Sequence, residues 1–164
     1  MKLLKIVEEY LKERNMQFAV MKEHSTIAFG FEGQSNIDWH CMFQTREEEE
    51  QVMFYSTVNE SIKPKYIQQV IDYILDENYR LVVGNFEIDR KDGEINYKTS
   101  LDCSGVELTH SLLDGIMFSN LSTMDRHINN IGLINKGKQP KSLLNEEKVK
   151  IDISNWKNSL GDLE

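Results

Sequence analysis

A β-hairpin is predicted over residues 84–97, which are Gly84-Asn85-Phe86-Glu87-Ile88-Asp89-Arg90-Lys91-Asp92-Gly93-Glu94-Ile95-Asn96-Tyr97. Its arms cover residues 81–88 and 94–101. The Asp92-Gly93 pair between them supplies the positive φ that a tight turn needs. Gly84 lies inside the first arm, which predicts a bulge or a close backbone contact there.

The hairpin lies between two predicted helices. Pro64 suits the first turn of the earlier helix, where its missing N–H is no loss. The apolar stripe of that helix consists of Tyr66, Ile67, Val70, Ile71, Ile74 and Leu75, and residues 76–78 end it. The later helical pattern runs from Gly105 to about Ile134, and Ser122 or Thr123 could cap a second segment within it.

The first third of the chain changes its hydrophobic period from 3.6 to 2. Residues 2–15 have the pattern of an amphipathic helix. Four strands in a meander follow, each with one buried face, and they are predicted at residues 18–21, 27–31, 37–43 and 52–58. The predicted order is therefore α-β-β-β-β-α-β-β-α, followed by a tail.

The length of 164 residues fits one domain. We assign residues 1–136 to that domain and residues 137–164 to a polar C-terminal tail. The tail carries scattered apolar residues, so it is either frayed, docked on the domain that shields it, or an element that adds to a sheet edge or a partner groove.

The net charge of −8 lies entirely in residues 1–136. An acidic domain repels phosphate backbones, so nucleic acid is not an expected partner.

The sequence has no motif that is typical of a metal site, a catalytic nucleophile or a phosphate-binding loop. No two histidines have helical ligand spacing, no cysteine pair has zinc spacing, and no nucleophile or phosphate-loop motif is present, so we expect no catalytic residue, metal or cofactor. Residues 47–50 are four glutamates, which we interpret as a solvated loop that discourages edge pairing. No apolar run is long enough to cross a membrane. With no signal peptide and a buried reduced Cys41, a cytoplasmic location is expected.

The strands predict an interaction surface. Five aromatic residues alternate on the core side, and they are Phe29, Phe31, Trp39, Phe43 and Phe54. Met42, Met53 and Tyr55 fall on the opposite face. If helices cover only one side of the sheet, these three form an exposed apolar patch, and methionine adapts to varied partners. With Met117, they are the predicted protein-contact residues, and this sheet face and the last helix are the predicted working surface.

An alternative is an enzyme or small-molecule binder with a pocket between the sheet and the helices. His40, Asp38 and Tyr55 are the only plausible polar cluster for it, because they could share one face.

The order of elements, and the second half in particular, resembles the YbjN family of bacterial proteins. The likeness is carried by the helix at residues 67–75, by the hairpin and by the leucine-rich helix at residues 108–121. The family's last hairpin has the pattern Gly-x-Phe-x-x-Asp-x-x-Asp-Gly-x-Ile-x-Tyr. Here it consists of Gly84, Phe86, Asp89, Asp92, Gly93, Ile95 and Tyr97.

The resemblance implies an α+β fold like that of class I type III secretion chaperones, with an antiparallel twisted sheet and helices packed on one face. It also implies a homodimer and a regulatory role without an established enzymatic activity. The chaperone relatives bind extended segments of partner proteins. The family pattern has three strands before the middle helix, so residues 18–21 could instead extend the first strand.

Overall fold

A computed structural model of the protein describes residues 2–142. Within this range three helices and six strands follow one another in the predicted order. The helices are α1 (Lys2–Glu13), α2 (Ile67–Arg80) and α3 (His110–Ile134), and the strands are β1 (Ala19–Met21), β2 (Thr26–Glu32), β3 (Asp38–Arg46), β4 (Gln51–Thr57), β5 (Asn85–Ile88) and β6 (Ile95–Asp102). The predicted tail lies outside the described residues from position 143 onward.

The six strands form one antiparallel sheet in the order β1-β2-β3-β4-β6-β5. Strands β1 to β4 are the predicted meander, and β1 is a strand of its own because a 3₁₀ turn at Lys22–His24 and a left-handed Ser25 separate it from β2. Strand β6 pairs with β4, and β5 lies outside β6 at the edge of the sheet. The predicted α+β class with its antiparallel sheet is confirmed.

The helices cover one face of the sheet. Helix α1 contacts β2 and β3, α3 contacts β4 and β6, and α2 contacts β5. All five predicted core aromatic residues are buried beneath them. The rings of Phe43 and Phe54, which are paired across β3 and β4, have centroids 4.4 Å apart. Aromatic pairs of this kind add about 0.5–1.5 kcal/mol beyond the burial of their area.

The first arm of the hairpin is shorter than predicted. Strand β5 begins at Asn85 rather than at Leu81, because α2 continues to Arg80. The side chain of Asn78 joins the two elements: its Nδ2 donates to the carbonyl of Phe86 (3.0 Å) and its Oδ1 accepts from the N–H of Phe86 (2.7 Å). The amide thereby covers an outer backbone position of β5, where a further strand would otherwise pair.

Helix α3 is continuous, which excludes a break at Ser122. Its N-terminus is capped by Thr109, whose Oγ1 accepts from the N–H of Leu112 at 3.3 Å. The hydroxyl of Ser122 donates instead to the carbonyl of Ser119 (3.3 Å) inside the helix. A serine that bonds back to its own helix does not cap a new one.

Helix α1 is capped from a distant loop. The carboxylate of Glu47 accepts from the backbone N–H groups of Lys2, Leu3 and Leu4 at 2.7, 3.0 and 3.0 Å. Partial burial pushes the pKa of Glu47 up, but these three bonds outweigh it and the net shift is downward. The negative charge also matches the positive end of the helix dipole. The interpretation of residues 47–50 as a purely solvated loop is therefore wrong for Glu47.

Candidate functional site

The face of the sheet that no helix of residues 2–142 covers is called the open face. A row of side chains crosses its centre, with Ala19, Ala28, Met42, Tyr55 and Lys98 standing opposite one another on β1, β2, β3, β4 and β6. Successive residues of a strand point to opposite faces, so this row points away from the aromatic core. Apolar groups therefore hold the middle of the open face. Beyond them lie Lys98, which pairs with Glu87, and Asn85 on β5, which ends the row.

A cavity of about 660 Å³ lies over this row. Met42 and Tyr55 line it and are partly exposed. Its polar lining consists of His40, Gln44, Thr57, Glu94 and Asn96. An apolar concave surface with a few polar groups around it is typical of a binding site for a ligand or a partner.

The two other predicted contact residues are less accessible. Met53 lies on the open face opposite Gln44 and Ser100, but only 7% of it is exposed. Met117 is 0% exposed, and the Tyr10 hydroxyl lies 3.7 Å from its sulfur. A side chain enclosed in the core cannot touch a partner while the fold is intact. Met117 is therefore corrected from a contact residue to a core residue.

The predicted role of the last helix as a working surface is corrected for the same reason. Helix α3 is buried along most of its length beneath the covered face of the sheet. Its stripe of apolar residues serves the core, and Leu112 is the one large apolar side chain among its exposed residues, Ser111, Leu112, Gly115 and Asn129.

The polar cluster of the alternative function lies on the open face and not between the sheet and the helices. Asp38 and His40 are exposed on β3, and Tyr55 is opposite Met42, which lies two residues beyond His40. The carboxylate of Asp38 accepts from Nδ2 of Asn59 at 3.0 Å. Within residues 2–142 no hydrogen bond joins these three side chains to one another. Among the described residues, these three side chains thus form no enclosed polar site of the kind that the alternative needs.

A second apolar surface lies on α2, and the sequence analysis missed it. Leu75 and Tyr79 are one helical turn apart and 66% and 93% exposed, and Val82 in the loop after the helix is 96% exposed. Val83 adjoins them. We call these four residues the flank surface. The signal was present in the sequence as a second apolar stripe on α2, beside the buried Val70 and Ile74.

Both cysteines are buried free thiols. Burial raises the pKa of Cys41 to about 12, although hydrogen bonds from Ser56 and Trp39 act in the opposite direction. Such a thiol stays protonated and is a weak nucleophile at neutral pH.

No three His, Cys, Asp or Glu residues of the described chain lie close enough together to hold a metal ion. None of the helices in residues 2–142 has the length and apolar character required to cross a bilayer.

Solved structures share this architecture at low sequence identity. The ExsC–ExsE complex matches with a TM-score of 0.56 and 11% identity over 76% of this chain and 92% of that chain. The HopA1–SchA chaperone–effector complex gives 0.50 and 14% over 74% and 88%. The crystal structure of YbjN from E. coli gives 0.57 and 8% over 77% and 91%. At these identities the likeness concerns the fold.

No curated protein matches the chain in sequence. The family model of YbjN, described as "Putative bacterial sensory transduction regulator", matches residues 3–133. That range contains all six strands. It also contains all three helices, except for Lys2 at the start of α1 and Ile134 at the end of α3. The chain belongs to the YbjN family.

Proposed function

We propose that the protein is a non-enzymatic, cytoplasmic protein-binding module with a regulatory or chaperone-like role, and that its open face is the binding surface. The observation that carries this proposal is the apolar row at Ala28, Met42 and Tyr55, which lies under a cavity and is covered by none of the three described helices. Two of the structures with this fold are complexes with a protein partner, which supports the same conclusion. The free thiols of Cys41 and Cys103 support a reducing compartment.

The chemistry of the open face favours a partner segment with apolar side chains and free backbone groups. Met42 and Tyr55 offer apolar contact area, and Tyr55 adds a hydroxyl. His40, Gln44 and Asn96 surround them with hydrogen-bonding groups. An extended segment exposes both kinds of group at once, so it fits an apolar centre with a polar rim.

The expected result of replacing Met42 with glutamate is loss of the bound partner from the full-length protein, with binding at least about tenfold weaker. A charge at the centre of the open face would have to be desolvated without a counterion when the partner binds. The measurement is quantitative mass spectrometry of proteins captured from the native cell, followed by titration of the captured partner. Val106→Glu is the matched control, because Val106 is exposed and lies in the loop between β6 and α3.

The wild type and Val106→Glu should capture the same partner, and thermal melts should show that both variants remain folded. Equal capture by Met42→Glu would contradict the open face as the binding surface. Turnover of a small substrate by the purified protein would contradict the non-enzymatic role.

We further propose that two copies of the chain associate through the flank surface. Tyr79 and Val82 are almost fully exposed apolar residues, and contiguous patches of this kind are rare on monomers. The adjoining edge strand β5 has Phe86 covered by Asn78, so side chains rather than strand pairing would make the contact. A twofold interface is formed by the same patch on both copies, so a single flank surface on each chain is enough to make a dimer.

Light scattering of the full-length protein should then give twice the 19.2 kDa mass of one chain. The variant Leu75→Glu should give the mass of a single chain, because it places like charges against each other across a twofold axis. Leu112→Glu, at an exposed leucine of α3, is the control and should remain dimeric. A wild-type mass of 19.2 kDa would exclude the dimer.

A further inference from the structure

A cavity of about 580 Å³ lies in a groove between α2 and α3. Tyr73, Glu77 and Arg80 line it from α2, where spacings of four and three residues place them on one face of the helix. Leu75 and Tyr79 lie on the opposite side of α2, because successive residues are about 100° apart around a helix. The cavity is therefore separate from the flank surface, and its volume is typical of a small-molecule site.

Helix α3 and the chain that follows it form the other wall of the cavity. Arg126 and His127 line it from α3, and Lys141 and Ser142 line it from the following segment. Asn130 lies one helical turn after Arg126 and holds this segment. Its Nδ2 donates to the carbonyl of Lys141, and its Oδ1 accepts from the Lys141 N–H, both at 2.9 Å. The position of the Lys141 backbone is therefore fixed independently of the Lys141 side chain.

A neutral pair of side chains joins the two helices at the cavity. The hydroxyl of Tyr73 and Nδ1 of His127 share a hydrogen bond of 2.7 Å. Burial lowers the pKa of His127 to about 4, and the nearby charge of Arg126 acts in the same direction. His127 is therefore uncharged at neutral pH and adds no positive charge to the cavity.

The rest of the lining has an excess of positive charge. Glu77 is the only carboxylate among the described lining residues, and it lies 2.9 Å from Arg80, which compensates it. Arg126 and Lys141 are left without a carboxylate in that lining. Nε of Arg126 is buried and has no hydrogen-bond acceptor among residues 2–142. A buried charged donor without an acceptor is costly, so an anionic group beside Arg126 would stabilise the protein.

We propose that this cavity binds a small phosphomonoester, whose phosphate group lies between Arg126 and Lys141. A dianion balances two cations that have no carboxylate, and a phosphomonoester carries about −1.5 to −2 charges at pH 7. A carboxylate would leave one of the two cations uncompensated. Guanidinium and ammonium groups both bind phosphate oxygens, and the hydroxyl of Ser142 is a further donor in the lining.

The remainder of the cavity suits a small organic group. Tyr73, Leu81 and Pro140 line it with apolar surface, and a phosphate group alone is too small to fill about 580 Å³. The neighbouring cavity of about 410 Å³ carries Asp72 and Asp76, which repel a second phosphate group. The net charge of −8 also disfavours a long polyanion. The site therefore selects a compact ligand with one phosphate group.

Isothermal titration calorimetry of the full-length protein with phenyl phosphate tests this proposal. Inorganic phosphate supplies the anion without the organic group, and benzoate supplies an aromatic ring with a carboxylate. Phenyl phosphate should bind at least about tenfold more tightly than either of them. Equal affinity for benzoate would overturn the assignment of a phosphate ligand, and equal affinity for inorganic phosphate would overturn the role of the apolar lining. No binding of phenyl phosphate at about 1 mM would overturn the site itself.

Two variants identify the cations that bind the phosphate group. Arg126→Gln should weaken the binding of phenyl phosphate at least about tenfold, because a charged hydrogen bond is lost. Lys141→Gln should weaken it about fivefold, and the backbone should stay in place because Asn130 holds it. Lys138→Gln is the matched control, since it removes the same charge from the neighbouring cavity, and it should leave the affinity unchanged.

An equal loss of affinity in all three variants would reveal a general effect of net charge and would overturn the site. Unchanged affinity in Lys141→Gln would also overturn it, and that result can be obtained even if Arg126→Gln fails to fold. The titration needs no protein partner, so its outcome is independent of the proposed binding at the open face.

Discussion

Replacing Gly84 with alanine is expected to lower the free energy of unfolding by about 3 kcal/mol or more, which for a chain of this size corresponds to a fall in Tm of roughly 6–12 °C. Gly84 has a φ of +80°, and a Cβ there would lie 2.5 Å from the carbonyl oxygen of Lys98, 2.7 Å from the Thr99 side chain and 2.9 Å from the Tyr97 hydroxyl. A left-handed alanine costs about 1–2 kcal/mol. The overlap adds to that cost, because the carbonyl belongs to the neighbouring strand and cannot turn aside.

Gly105 distinguishes the cost of the left-handed backbone from the cost of the steric overlap. Its φ is +75°, close to that of Gly84, but nothing lies within 4 Å of its Cβ position. Gly105→Ala should therefore cost only the backbone term of about 1–2 kcal/mol, measured by urea unfolding alongside Gly84→Ala. Equal losses in the two variants would show that strand β5 moves away to accommodate the methyl group, and that the close contact with β6 is not required.

The hairpin shows how far local pattern determined the fold. The alternation of residues 95–101 and the Asp92-Gly93 turn predicted β6 and the end of β5 correctly, and the hint of a close backbone contact at Gly84 is confirmed. Strand β5 starts later than the sequence predicts, because Val82 and Val83 have strand-forming side chains but lie outside the strand. What ends the helix and starts the strand is the bond between Asn78 and Phe86, which no periodicity records.

Burial on the sheet could be predicted from the sequence and burial on the helices only in part. A strand has two faces, so the core position of Phe43 places Met42 on the other face without further information. Helix α3 is enclosed on most sides, so its apolar stripe cannot distinguish a surface methionine from a core one. Met117 was misplaced for that reason. The cap by Glu47 was missed because it joins residues more than forty positions apart.

One buried polar group links α3 to the neighbouring strands β4 and β6. Nδ2 of Asn120 donates to the carbonyls of Phe54 (3.0 Å) and Tyr97 (2.9 Å), and it lies 3.3 Å from Oγ1 of Thr99. That hydroxyl donates in turn to the carbonyl of Ile116 at 3.0 Å. Asn120 is 0% exposed. Its amide nitrogen therefore faces only oxygen atoms, in a place that water does not reach.

Asn120→Asp should consequently destabilise the protein by at least about 3–5 kcal/mol at pH 7, because a carboxylate would be buried against the carbonyls of Phe54 and Tyr97. Asn120→Leu removes the donor without adding charge and should cost about 1–3 kcal/mol. Urea unfolding at pH 7 and near pH 4 distinguishes the two effects. Burial raises the folded-state pKa of the new carboxyl above its unfolded value of about 3.9.

The folded aspartate variant therefore binds a proton more tightly than the unfolded chain does, and its stability falls as the pH rises from the unfolded pKa towards the folded one. Relative to the wild type, the deficit of Asn120→Asp should be much smaller near pH 4 than at pH 7. The deficit of Asn120→Leu should be the same at both. An aspartate deficit that does not change with pH would mean that the carboxylate reaches water, which requires α3 to separate from β4 and β6 at its midpoint. While the Asn120 contact stays closed, α3 remains on the covered face of the sheet. The open face is then the one that can bind a partner.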